Sequence, residues 1–161
     1  MRATINFPLE PHLSDFLRHE LNTKEDVIVL NRSNSISRFI LSQVQIAEFP
    51  RKEKIFDNNV VFKLPSNRFI DFENKFVYVN KFRIQQINDF IKSVFNLRVQ
   101  MFFFAGREFN YSNKQIIEAF MYSYNIKNLA INYEAIKKND YRRRIKTIQR
   151  ISKDIEMSIV Q

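Results

Sequence analysis

NKFRIQQINDFIKSVFNLRVQMFFF, residues 80–104, is the stretch on which the fold turns. Asn80 is a residue type that caps helices, and Val79 before it and Ile84 after it are spaced as a hydrophobic-staple pair. Beyond the cap, Ile84, Ile87, Ile91, Val94, Arg98 and Met101 recur at spacings of three and four, an apolar stripe broken only by Arg98. Phe90, Phe95 and the run at 101–104 widen it. The pattern predicts a long helix that acts as the central packing element.

The same mechanics recur downstream. Ser112 and Gln115 have the Ser-x-x-Gln spacing of a capping box, and a second helix over 113–125 turns Ile116, Ile117, Phe120, Met121 and Tyr124 inward. Asn132, bracketed by Ile131 and Ile136, is the expected cap of a third. Upstream, short strands alternate with short helices. ATINFPL (3–9) sets Ile5, Phe7 and Leu9 on one side at strand period, and Pro8 marks an edge strand or an early end. Leu13 to Leu21 has helical spacing with Ser14 as its cap. VIVLN (27–31) reads as a buried strand, NRSNS (31–35) as a turn and cap, and Ile36, Phe39, Ile40 and Val44 as an amphipathic helix. A charged connection over 50–59 leads to the strand VVFKLP (60–65); RFIDF (68–72) and FVYV (76–79) read as strand or extended loop. The expected class is α+β, with an N-terminal αβ segment over 1–79 packed in one compact domain with a C-terminal unit of about three helices over 80–161.

Composition narrows the chemistry. With 161 residues, 45% of them hydrophobic and seventeen Phe, the chain is long and apolar enough to bury a core. Cysteine is absent, which removes disulfides, thiolate metal sites and cysteine nucleophiles. His12 and His19 read as surface residues; seven apart on a helix they sit about 10 Å from each other, too far to share a metal. No metal and no cofactor is assigned. No apolar run approaches the ~20 residues of a membrane span, and the start lacks a signal-peptide core, so a cytoplasmic address is expected. The acids Glu10, Asp15, Glu20, Glu25, Asp71 and Glu73 form no catalytic spacing, and one glycine, Gly106, makes no phosphate loop. Tyr141 beside Arg142 to Arg144 suggests a tyrosine nucleophile, yet adjacent helical residues diverge by about 100°. The reading is non-enzymatic.

KKNDYRRRIKTIQRISKD (137–154) carries the functional argument. Over 137–153, eight bases face Asp140 alone, so most of the chain's net charge of +9 sits there. On a helical wheel Tyr141, Ile148, Ile151, Ile155 and Ile159 share one side, and Arg142, Arg143, Lys146, Arg150 and Lys153 share the opposite one, with Arg144 at the apolar boundary. Asp154 borders the basic side and can pair with Arg150 alone. Like charges three or four apart repel, and a phosphate backbone relieves that repulsion while releasing counterions. The expected partner is nucleic acid, DNA above RNA, and the candidate contacts are Lys137, Lys138, Tyr141, Arg142, Arg143, Lys146, Arg150 and Lys153. The helix over 113–125 followed by one from Asn132 has the order of a helix-turn-helix, with Asn132 and Tyr133 added as contacts. If the isoleucines form an internal core, an acid at Ile148 unfolds the unit; the alternative is an interaction or structural module that dimerises through the same stripe.

INFPLEPHLSDFLRHEL and VIVLNRSNSISRFIL near the start, with IIEAFMYSYNI and INYEAIKKNDYRRRIK near the end, resemble small DNA-binding proteins of bacterial phages and integrative elements. The resemblance covers both ends and leaves residues 50–80 unmatched. It implies an extended-plus-helix segment joined to a helical unit that ends in a Tyr-Arg-rich stretch, a role as a regulator or accessory factor of a mobile element, and no catalytic residue.

Overall fold

The computed structural model describes residues 3–23, 26–50, 58–65 and 76–159, the side chains of 152 and 154–159 excepted. It is an α+β chain with a C-terminal helical unit. Its contacts divide it into two units, Met1–Phe95 and Asn96–Gln161, with the division inside the long helix that begins at Lys81. RFIDF and most of the 50–59 connection lie outside the described residues.

In the first unit, β1 (Thr4–Pro8), β2 (Val27–Val29) and β4 (Asn59–Lys63) form a sheet in the order β1-β4-β2. β1 runs antiparallel to β4, with Ile5 opposite Phe62 and Phe7 opposite Val60, and β2 runs parallel to it. All four of those side chains are buried, and the Phe7 and Phe62 rings stack at 4.5 Å. Pro8, which cannot donate to a ladder, sits on an edge strand. Its carbonyl accepts from the Asn88 side chain at 3.3 Å. A second, two-stranded antiparallel sheet joins β3 (Gln45–Ala47) to β5 (Phe76–Tyr78). FVYV is therefore a strand, while β3 has no periodic apolar run to announce it.

α1 (Pro11–Glu20) starts earlier than Leu13 because Pro11 occupies its first turn, where the missing N–H costs nothing. Ser14 is not the cap; Glu10 holds that position and makes no side-chain cap bond. The earlier start carries His12 inward with Leu13, Phe16 and Leu17, so His12 is buried rather than at the surface. Its ring lies 5.1 Å from that of Phe95, and Phe16 meets Phe95 edge-on. α2 (Ser35–Gln43) is capped by Asn34, whose side-chain oxygen accepts from Ile36 and Ser37 N–H. Asn31 folds the preceding turn by accepting from Ser33 and Asn34.

α3 (Lys81–Glu108) is capped by Asn80, which accepts from Arg83 N–H at 2.9 Å. Its buried line is Ile87, Ile91, Phe95, Val99 and Phe103. Met101 is 54% exposed, which corrects the expected stripe: a repeat of four advances about 40° per step, so the buried face turns along the helix instead of staying at a three-and-four spacing.

In the second unit, the end of α3 is joined by α4 (Asn113–Ser123) and α5 (Ala130–Ile159). The Ser112 capping box is complete. Ile116, Ile117, Phe120 and Met121 are buried with Val99, Phe103, Ile126 and Ile136, and Phe102, Phe120 and Tyr124 form an aromatic cluster.

Helices α1, α3 and α4 end alike. Asn22, Asn110 and Asn125 have φ of 50°, 60° and 52°. In each case the asparagine N–H and the next N–H reach back to carbonyls of the final turn: Asn110 to Arg107 and Tyr111 to Gly106, for example. This is the Schellman stop, normally glycine's position. Asparagine tolerates the left-handed region better than other side chains, and this nearly glycine-free chain uses it three times.

Candidate nucleic-acid interface

α5 begins at Ala130, with Leu129 supplying the carbonyl that accepts from Asn132 and Tyr133 N–H. Asn132 is therefore inside the helix and not its cap. It is fully buried, and its amide donates to the Lys127 carbonyl, closing the turn before the helix. That burial removes it from the candidate base contacts.

Up to Asp140 the helix is seated on its own unit. Ile136 is buried, Asn139 donates to Asn96, and Asp140 is 5% exposed. Arg107 holds both Asp140 oxygens at 2.7 Å and lies over the Phe103 ring, while Arg144 Nε binds the same carboxylate at 3.0 Å. Two half-exposed guanidinium groups compensate one buried charge, as a buried carboxylate requires. Arg144 is thereby a structural residue; it does not snorkel along an apolar boundary.

Past Asp140, each residue from 141 to 151 is exposed. This corrects the expected internal core: Ile148 is 62% and Ile151 52% exposed, so an acid at Ile148 buries no charge within the unit. A helical wheel assigns side chains to the sides of a helix. What it cannot specify is whether anything covers the apolar side.

The eight candidate contacts fall into two groups. Lys137, Lys138 and Tyr141 border a cleft of about 270 Å³ whose floor includes Phe103, Ile117 and Tyr133. Lys137 there pairs with Glu134 at 3.4 Å, half spending its charge. Arg142, Arg143, Lys146, Arg150 and Lys153 form the second group, a ridge on the opposite side. None of the five pairs with a described residue, and all are exposed. From Arg142 to Lys153 the rise along the axis is about 16 Å. That exceeds the ~12 Å width of a DNA major groove, so one ridge can reach phosphates on both of its walls.

A turn of residues 124–129 separates α4 from α5. It is longer than the three or four residues of a DNA-binding helix-turn-helix, and the first turns of α5 carry the buried Asn132 and Ile136. Sequence reasoning missed Arg107, which anchors the base of the ridge through Asp140. The signal was present, an arginine in the last turn of α3, but only the fold brings it to a residue 33 positions away.

Among the described residues no three His, Asp or Glu side chains gather as a metal site, and no helix is long and apolar enough to cross a membrane. No family model matches the chain, and neither a curated protein nor a solved structure is found similar to it.

Proposed function

We propose that this protein binds nucleic acid without catalysis, DNA in the first place, through the basic ridge of α5. The observation that carries the reading is the set Arg142, Arg143, Lys146, Arg150 and Lys153: five exposed cations on one side of a helix with no described carboxylate partner. A helical face with that much unrelieved repulsion is stabilised by a polyanion, and arginine's forked donors suit phosphate oxygens and guanine edges. Contact passes through the middle of α5 rather than its first turns, where Lys137 is paired and Asn132 is buried. The resemblance to DNA-binding proteins of phages and integrative elements favours a cytoplasmic regulator or accessory factor of a mobile element.

The test is a variant with Arg142, Arg143, Lys146 and Arg150 all replaced by Gln, titrated against duplex DNA and RNA over a range of salt. Each lost phosphate contact lowers the slope of log K against log salt by about 0.9, so the four together flatten it by up to about 3.6. Thermal melting stays nearly unchanged, because the substituted side chains are exposed. A variant that binds both polymers as tightly as the parent, with the same slope, rules the reading out.

A further inference from the structure

Among the described residues, the apolar side of α5 is left uncovered from Tyr141 to Ile151. Tyr141 is 59%, Ile145 37%, Ile148 62% and Ile151 52% exposed, although they recur at spacings of three and four. A helix gains most of its stability from packing such a stripe, and a short helix left unpacked in water is marginal. We propose that the cover is a second copy of the same helix, antiparallel, so that two chains join through residues 141–159 of α5. The DNA-binding reading is not a premise of this proposal.

The self-complementarity is written in the heptad. Positions 141, 145, 148, 152, 155 and 159 alternate spacings of four and three, and all but Ser152 are Tyr or Ile. That is the seam of a coiled coil, in which each helix supplies both the knobs and the holes of its mate. A twofold axis near Arg150 sets Tyr141 against Ile159, Ile145 against Ile155 and Ile148 against Ser152, each pairing occurring twice. Such an interface closes on itself at two copies.

Charge selects the orientation. Positions 142, 149 and 156, one heptad apart along one flank of the seam, are Arg, Gln and Glu; positions 144, 151 and 158 along the other are Arg, Ile and Ser. In an antiparallel pair like flanks meet. Arg142 then faces Glu156 of the mate at both ends, Gln149 meets Gln149 and Ile151 meets Ile151. In a parallel pair opposite flanks meet, which puts Lys137 against Arg142 and the apolar Ile151 against Glu156. Only the antiparallel arrangement pairs unlike charges. Arg142 is then shared between seam and ridge, while Arg143, Lys146, Arg150 and Lys153 stay on the outer side.

The experiment uses the full chain. Light scattering at high micromolar concentration is expected to give twice the 19.5 kDa chain mass, and Ile148→Asp to return it to one chain with helix content of the body preserved. Because the chain has no cysteine, introduced thiols report the orientation. Ile145→Cys and Ile155→Cys are made as separate variants and oxidised alone and mixed. Disulfide-linked dimer is expected only in the mixture, since two copies of residue 145 lie about 15 Å apart in the antiparallel pair, beyond the ~7 Å Cα limit of a disulfide. A monomeric parent, a dimer indifferent to Ile148→Asp, or efficient self-linkage of Ile145→Cys would each overturn the proposal. Loss of dimer with DNA affinity intact, or the reverse, separates this inference from the one before it.

Discussion

Gly106, the chain's single glycine, sits on α3 where a side chain has no room: a Cβ there would meet Ile116 Cγ1 at 2.5 Å and Cδ1 at 2.7 Å. Two effects of Gly106→Ala compete. Alanine raises helix propensity by up to about 1 kcal/mol, whereas overpacking a seated contact costs about 1 to 3 kcal/mol. The clash wins, and the variant should lower the urea midpoint of the second unit. Adding Ile116→Ala should recover part of the Gly106→Ala penalty in a double-mutant cycle; strictly additive effects would show that the two do not share the space. His12 gives a second test. Burial holds its pKa below the ordinary 6.5; Glu10 and Asp15 pull it up and Lys92 pushes it down. The unfolded chain therefore takes up a proton that the folded chain refuses. Stability is complete above about pH 6.5 and declines as pH falls from there through the lower folded value. Comparing urea unfolding at about pH 7.5 and about pH 5.5, the parent should lose more stability than His12→Gln; equal losses would dismiss the mechanism.

At the scale of elements, helix stops are the most transferable feature. Asn110 is left-handed and donates to Arg107, so Asn110→Gly should hold or slightly raise the melting temperature, while Asn110→Val should cost about 1 kcal/mol or more. A melt in which valine matches glycine would mean that the stop does not constrain the chain. The stops also show why some elements were legible and others were not. Caps are local: Asn34, Asn80 and Ser112 announce their helices within four residues, and sequence reading finds the latter two directly. Asn132 has the same residue type and similar brackets, yet it lies one turn inside α5 because Leu129 already supplies the opening carbonyl. β3 is three residues long and its existence depends on β5, with Ile46 pairing Val77 31 positions on; nothing local marks it. In α5 the stripe was visible but its environment was not, because periodicity records that a face is apolar and not what lies against it.

At the scale of the whole molecule, the α+β class followed from alternation in the first half and from helical spacing in the second. The division at Phe95 was hidden, because a helix of 28 residues serves two sets of contacts without any change in its pattern. The candidate site was half legible. Its cations are a sequence fact, whereas Arg107 on Asp140, and the clearance of residues 141 to 151, belong to the fold.

The pairing of β1 with β4 joins positions about 50 to 60 residues apart, and the rings of His12 and Phe16 both meet that of Phe95 on α3. On the ribosome the first strand and first helix therefore emerge well before β4 and Phe95. At roughly 5 to 20 residues per second, the interval from Phe16 to Phe95 lasts about 4 to 16 s. During that interval Phe16 waits for its partner ring, and the helix that opens with NKFRIQQ is what supplies it.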